Sequence, residues 1–436
     1  MVDRRIINLS ENCLMKKILC LICLFSISFY SCAVRNYLNS KSDLNEDRVF
    51  YGQMINKGQN AGWFNVPAHL VRNTEHLAIY IQTKFHKDYK GEQNVSLYAL
   101  NKLAQEFDYY YTSMTNIYGT HSDMDGNGKI IILLMDINVN KVAGSQVLGY
   151  FNPMDMHGYN EGEILYMDIS NANNKTDNAI GTIIHEFQHL INYSYVISGA
   201  RNEMDSWLNE ALSESTSILF NKATTAESRI NEFNKINYYC FYTWDIPTNI
   251  SNNGKPNTHV NYPSASVFMN WLYQKNGSNE TIFKTIASSK ELGDYNKVLS
   301  AAKGISGLSG ATWDSLLLNW MSEIVTNGSN WNTTNKPTNN LALGNVDLYP
   351  GAMVVCDSCS NSGTSANIVK TNVNGKTIVL NKDTNLKGPA VNVSVTNSQT
   401  TSSKARMSRS AIRNDNNEEN RDINILLDRN GNIKKY

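Results

Sequence analysis

The chain has 436 residues, 41% of them hydrophobic, enough to bury a core in two or three domains and too apolar for a disordered protein. Lysine plus arginine and aspartate plus glutamate both number 39, so the formal charge is zero. The sequence offers no basic stripe to neutralise phosphates, and nucleic acid is excluded as the expected partner.

Residues 1–31 read as an export signal: Lys16 and Lys17 precede the apolar run ILCLICLFSISFY, with Met15 as the start. The run is short for a membrane span, and Ser31 followed by Cys32 is similar to the lipobox of bacterial lipoproteins, in which the cysteine is lipidated. Phe29 and Tyr30 depart from that motif, so plain cleavage and an uncleaved anchor are the alternatives. The expectation is an exported protein, lipid-anchored at the cell envelope through Cys32 or secreted. After cleavage Cys32, Cys240, Cys356 and Cys359 are left, too few for a disulfide framework. The CDSC pair predicts a small local disulfide, because a zinc knuckle needs a second pair.

Residues 32–70 are polar and read as a tether. Strand signals begin at HLAIYIQTKF. The stretch LYALNKLAQEFDYYYTSM places Leu97, Leu100, Leu103, Ala104 and Phe107 at helical spacing, and KIIILLMDI follows as a fully buried strand. EILYMDI reads as another strand. Helices are predicted around IIHEFQHLIN, SWLNEALSESTSILF, SASVFMNWLYQ and SGATWDSLLLNWMSEIV, which carry apolar residues at i, i+3 and i+4. From 335 the texture turns to Asn, Thr and Gly with short alternating runs, predicting a small β domain over 335–400 and a loose tail over 401–436. The fold class is α+β, with a main domain over 71–334.

DMDGNGK sets Asp123, Asp125 and Asn127 at positions 1, 3 and 5 of a calcium loop, with Gly128 at 6 and the carbonyl of Lys129 at 7. Position 12 is Leu134, so Asp136 or a distant acid has to close the site. A helix-to-strand turn explains the same letters without an ion.

On a helix, residues four apart share a face, so His185 and His189 of IIHEFQHLIN can present two imidazole nitrogens to one ion. Glu186, one step round, can reach a water on that ion, which is the HExxH arrangement. A catalytic zinc needs a third protein ligand and one open position. The metzincin continuation would require Gly and His where Asn192 and Tyr195 stand, and is rejected. WLNEALSE instead offers Glu210 as ligand and Glu214, one turn on, as acceptor for the spare N–H of a histidine ligand.

HEFQH followed by NEALSE resembles the HExxH and NExxS[DE] pair of thermolysin-like gluzincins. With SDMDGNGKIIILLMDI, GYFNPMDM and EILYMDI in order, residues 75 to 280 resemble the hyicolysin-type neutral metallopeptidases, a bacterial exported group. The resemblance implies a zincin-like fold, a twisted mixed sheet with an active-site helix and a helical lower half. It implies a zinc endopeptidase acting on proteins or peptides, with His185, His189 and Glu210 as zinc ligands and Glu186 as general base. It also implies that EILYMDI is the edge strand along which an extended peptide pairs. Tyr262, in NTHVNYPSASVFMNWL, matches the family's oxyanion donor, and His259 is its rival. Cofactors expected are Zn2+ and, at the DMDGNGK loop, Ca2+. His69, His76, His86, His121 and His157 lack ligand-spaced partners and read as surface or packing residues. A surface adhesin or binding lipoprotein on the same scaffold is the alternative; it would have no use for Glu186.

Overall fold

The structure, a computed structural model, describes residues 44, 46–54, 62–86, 95–138, 145–220, 223–236, 238–241, 244, 258–327, 344–361, 365–385, 387–396 and 421–423. The export signal and Cys32 lie outside these residues. Among the described residues no helix is long and apolar enough to cross a membrane.

The chain is α+β. Its main sheet is built from β1 (Asp47–Met54), β2 (Gly62–Asn73), β3 (Leu77–Gln82), β4 (Ile130–Met135), β6 (Gly149–Phe151) and β7 (Ile164–Asp168), the short β5 (Ser145–Val147) lying outside it. The order is β1-β2-β3-β4-β7-β6. The pairs β3–β4 and β4–β7 are parallel; β1–β2, β2–β3 and β6–β7 are antiparallel. Helix α1 (Leu97–Tyr118) makes the crossover from β3 to β4, and the Ser96 hydroxyl caps it by accepting from the Ala99 N–H at 3.1 Å. It ends at Gly119, whose φ of 108° suits glycine and where a Cβ would collide with the Tyr195 ring.

Every residue of β4 is buried because both faces of the sheet are covered. Ile130, Ile132 and Leu134 face the helices, while Ile131, Leu133 and Met135 face a second core with Phe50, Tyr80, Tyr150 and Tyr166. That second core lies inside the curl of the sheet, where side chains of one edge strand reach the other: the Tyr150 hydroxyl accepts from the Gln53 N–H at 2.7 Å.

Helices α2 (Ile169–Asn174), α3 (Thr176–Ile197), α4 (Ser206–Phe220), α5 (Ala223–Lys235), α6 (Thr258–Lys275), α7 (Thr281–Ser288), α8 (Asp294–Lys303) and α9 (Trp313–Asn327) form the helical half. Between α5 and α6 lies the short strand β8 (Tyr238–Tyr239), and beyond α9 come β9 (Gly344–Leu348), β10 (Met353–Cys356), β11 (Ser358–Asn361), β12 (Ile368–Val373), β13 (Lys376–Asn381) and β14 (Val391–Thr396). These make two small sheets, β12-β13-β10-β8 and β11-β14-β9, whose described pairs are antiparallel. The small β region therefore borrows β8 from the helical half, and Met353, Val355 and Ile378 join the same core as the helices. The expected Cys356–Cys359 disulfide is present.

Three expectations need correction. The tether over 32–70 does not extend past Glu46, because β1 and β2 are strands of the main sheet; their partly exposed, polar alternation is that of an outer hairpin. EILYMDI is not an edge strand: β7 is paired on both sides and wholly buried, and the edge belongs to the three-residue β6. Within the tail, β15 (Arg421–Ile423) pairs in parallel with β5.

Asp155, after β6, is fully buried, and burial pushes its carboxyl up to about 8 against the opposing hydrogen bonds of Tyr166 and Asn160 and the charge of Arg48. The unfolded chain loses this proton near the ordinary value of about 3.9 while the native chain keeps it. Stability from this group is therefore full below about pH 4 and is lost as pH rises through about 8. Glu163, raised to about 7, and Asp125, raised to about 6, both by burial, act in the same sense. Asp155→Asn is expected to flatten part of the fall in melting temperature between pH 5 and pH 8; a slope identical to that of the native chain would contradict it.

Candidate metal centre

Helix α3 carries His185, Glu186 and His189 on the face turned to the sheet and to α4, all but buried at 1%, 1% and 5% exposure. Helix α4 lies against it and presents Glu210, 1% exposed. Asn192 ties the two helices, its Nδ2 donating to Asn209 Oδ1 at 2.7 Å, one residue before Glu210. The residue that breaks the metzincin pattern thus joins the two motifs.

The His185 and His189 Nε2 atoms lie 3.1 Å apart, and Glu210 Oε2 is 3.3 Å from the first and 3.6 Å from the second. Donors about 2.0–2.1 Å from a tetrahedral zinc are roughly 3.3–3.4 Å from one another, so this triangle is of the right size for one small cation. Among the described residues neither buried oxygen of Glu210 meets a donor in hydrogen-bonding geometry. A buried carboxylate without donors is costly unless a cation satisfies it. Burial opposes its ionisation, yet the adjacent His189 and His185 hold the carboxyl down at about 2. His189, which burial would push down, is raised to about 9 by Glu210.

The outer ring nitrogens have defined surroundings. His189 Nδ1 is 3.1 Å from Ser213 Oγ, which donates to Gln188 Oε1 at 2.5 Å, so the chain of donors runs from ring to hydroxyl to amide. His185 Nδ1 faces Glu214 Oε1 at 3.6 Å, opposite the expected partner but beyond hydrogen-bond reach. Glu214 is fully buried and held from elsewhere: Arg229 of α5 donates from Nε at 3.0 Å and from a terminal nitrogen at 3.2 Å, and Ser266 Oγ donates at 2.7 Å.

Glu186 accepts the Phe151 N–H of β6 on Oε2 at 3.1 Å, and its Oε1 is buried without a partner. Burial raises its carboxyl above the ordinary range, with His189 and His185 opposing. Tyr262 on α6 is 3% exposed, its ring 6.4 Å from that of His185, 4.8 Å from Trp244 and 4.4 Å from the Arg229 guanidinium. Burial, followed by Glu210, raises its hydroxyl well above the usual range. The His259 side chain lies outside the described residues.

At the DMDGNGK loop, Asp123 and Asp125 converge with Glu163, which stands just before β7. The Asn127 side chain is engaged within the loop: its Nδ2 donates to Asp125 Oδ2 at 2.7 Å and its Oδ1 accepts from the Lys129 N–H. Asp136 does not close the site, since it pairs with Lys84 at 2.9 Å. Glu163 itself accepts from Ser122 Oγ and the Met124 N–H. Of the remaining histidines, His76 stacks on Tyr111, whose hydroxyl bonds His121, and His157 bonds the Tyr193 hydroxyl.

Sequence reasoning misses Arg229, Ser213, Ser266, Phe151 and Glu163. A signal for Arg229 exists in retrospect: it stands four residues before the buried Phe233, on the apolar stripe of α5. Compared with known proteins, the chain matches no protein-family model and no curated protein.

Proposed function

We propose that this protein is an exported zinc-dependent endopeptidase of the gluzincin type, with a zincin-like main domain, acting on proteins or peptides. The observation that carries the reading is the buried triangle of His185 Nε2, His189 Nε2 and Glu210 Oε2, with spacings of 3.1 to 3.6 Å and, among the described residues, no other donor for Glu210. Charge supports it. Arg229 is already engaged by Glu214, so the Glu210 carboxylate, held low by its neighbours, faces the two imidazoles where a divalent cation would sit.

Zinc held by these three residues supplies a Lewis acid that lowers the pKa of a water and polarises a carbonyl. Glu186 has the matching position: with Oε2 fixed by the Phe151 N–H, its buried Oε1 takes the proton of the attacking water and passes it to the leaving amine. Tyr262 is the proposed donor to the oxyanion. Along β6 the alternation of an antiparallel pair turns the backbone groups of Gly149 and Phe151 away from β7, since Leu148 O accepts from Asp168 N on the β7 side, and of these the Phe151 N–H is already given to Glu186. A substrate in extended form pairs there, beside Glu186. Anchoring through a lipidated Cys32 belongs to the same proposal.

The test is digestion of fluorescein-labelled casein. Cleavage that a zinc chelator abolishes and added zinc restores is the expected result; cleavage indifferent to the chelator contradicts the reading. Calcium at Asp123, Asp125 and Glu163 is a second proposed ion. Millimolar calcium is expected to raise the melting temperature, and an unchanged melt speaks against it.

A further inference from the structure

We propose that Tyr150 and Asn160 are positioning residues which pin the edge strand β6 and the loop after it to the N-terminal strand β1, keeping β6 in register for a substrate peptide. The inference rests on the endopeptidase reading above. Among the described residues strand β6, three residues long, has a strand partner on one side alone, so its ladder with β7 is a weak constraint on the edge that would receive a substrate. Strands β1 and β6 are the two ends of the sheet order, and side chains join them.

The Tyr150 hydroxyl accepts from the Gln53 N–H at 2.7 Å and donates to the Gln53 carbonyl at 3.2 Å, taking the place of a neighbouring strand. Its ring, fully buried, stacks on Tyr166 with centroids 4.3 Å apart. Asn160 does the same two residues earlier on β1: Oδ1 accepts the Tyr51 N–H at 2.8 Å and Nδ2 donates to the Tyr51 carbonyl at 3.1 Å. Arg48 donates to the Asn160 carbonyl at 2.5 Å, and Asn160 Nδ2 also reaches Asp155 Oδ1 and the Tyr166 hydroxyl. Both the strand that abuts Glu186 and the loop leaving it are therefore stapled to the hairpin. The outward N–H and C=O of Tyr51 and Gln53, otherwise an open sheet edge, are satisfied by the same contacts. The consequence reaches the centre through one bond, Phe151 N–H to Glu186 Oε2, next in the chain to Tyr150.

Tyr150→Phe removes the hydroxyl and keeps the ring stack; Asn160→Ala removes the second staple, and the two variants guard each other against misfolding. Amide hydrogen exchange is measured over 148–152 and, as a reference, over α9, together with zinc content and the kinetics of casein cleavage. The expected result is exchange faster by about tenfold over 148–152 with α9 unchanged, KM raised about tenfold, kcat within about threefold, and zinc content intact, the size expected for buried groups left unpaired. Exchange that is unchanged over 148–152, or that rises equally in α9, overturns the proposal, as does an unchanged KM in a variant whose β6 exchanges faster. Should the unmodified protein cleave nothing, the endopeptidase reading falls, and the exchange measurement decides by itself whether the staple holds the edge.

Discussion

Glu186→Gln is expected to lower the rate of peptide-bond cleavage by about 10²–10⁴-fold while leaving metal content unchanged. The amide oxygen can still accept the Phe151 N–H, so the local geometry has a reason to persist, but it cannot hold a proton between the attacking water and the leaving amine. In free energy the expected loss is about 3–5 kcal/mol of transition-state stabilisation, at about 1.4 kcal/mol per factor of ten. Single-turnover cleavage of a labelled peptide beside elemental analysis of the same sample checks both halves. A variant that keeps its metal and still cleaves at the native rate would remove Glu186 from the chemistry and favour a binding protein on this scaffold.

The second large effect concerns a residue with no part in the motifs. Arg229→Met is expected to destabilise the fold by about 3–5 kcal/mol, because it leaves the Glu214 carboxylate buried without its cation. The pair is almost wholly buried, with side chains 9% and 0% exposed, so solvent screening gives little relief. Adding Glu214→Gln removes the stranded charge, and the double variant is expected to recover much of the lost stability. Urea unfolding of the native chain, both single variants and the double variant gives the coupling directly. Additive effects would mean that the contact contributes nothing of its own.

What could be seen in the sequence was what helical spacing encodes. His185 and His189 four apart, and Glu210 and Glu214 four apart, declare which groups share a face, and the structure brings His185, His189 and Glu210 together. The all-apolar run of β4 likewise announces a strand covered on both faces. The features that escaped depend on pairing between distant parts. A three-residue strand such as β6 is too short to show a period, and the edge that the family resemblance places on EILYMDI belongs to it instead. Glu163 joins Asp123 and Asp125 from across a strand, and no loop spacing foretells it. Arg229 reaches Glu214 from another helix, and β8 pairs with β10, which lies beyond α9 in the chain. The outer hairpin of β1 and β2 reads as a tether because its residues are partly exposed and polar, and the outer edge of β1 is met by the side chains of Asn160 and Tyr150 from far along the chain.

The central claim is that His185, His189 and Glu210 hold one divalent cation, and metal content by elemental analysis tests it most directly. The account predicts a single zinc ion per chain in the purified protein, and none in Glu210→Ala after dialysis against a weak chelator. A native chain that takes up no zinc from a micromolar supply, or a Glu210→Ala variant that holds it as tightly as the native chain, would contradict it.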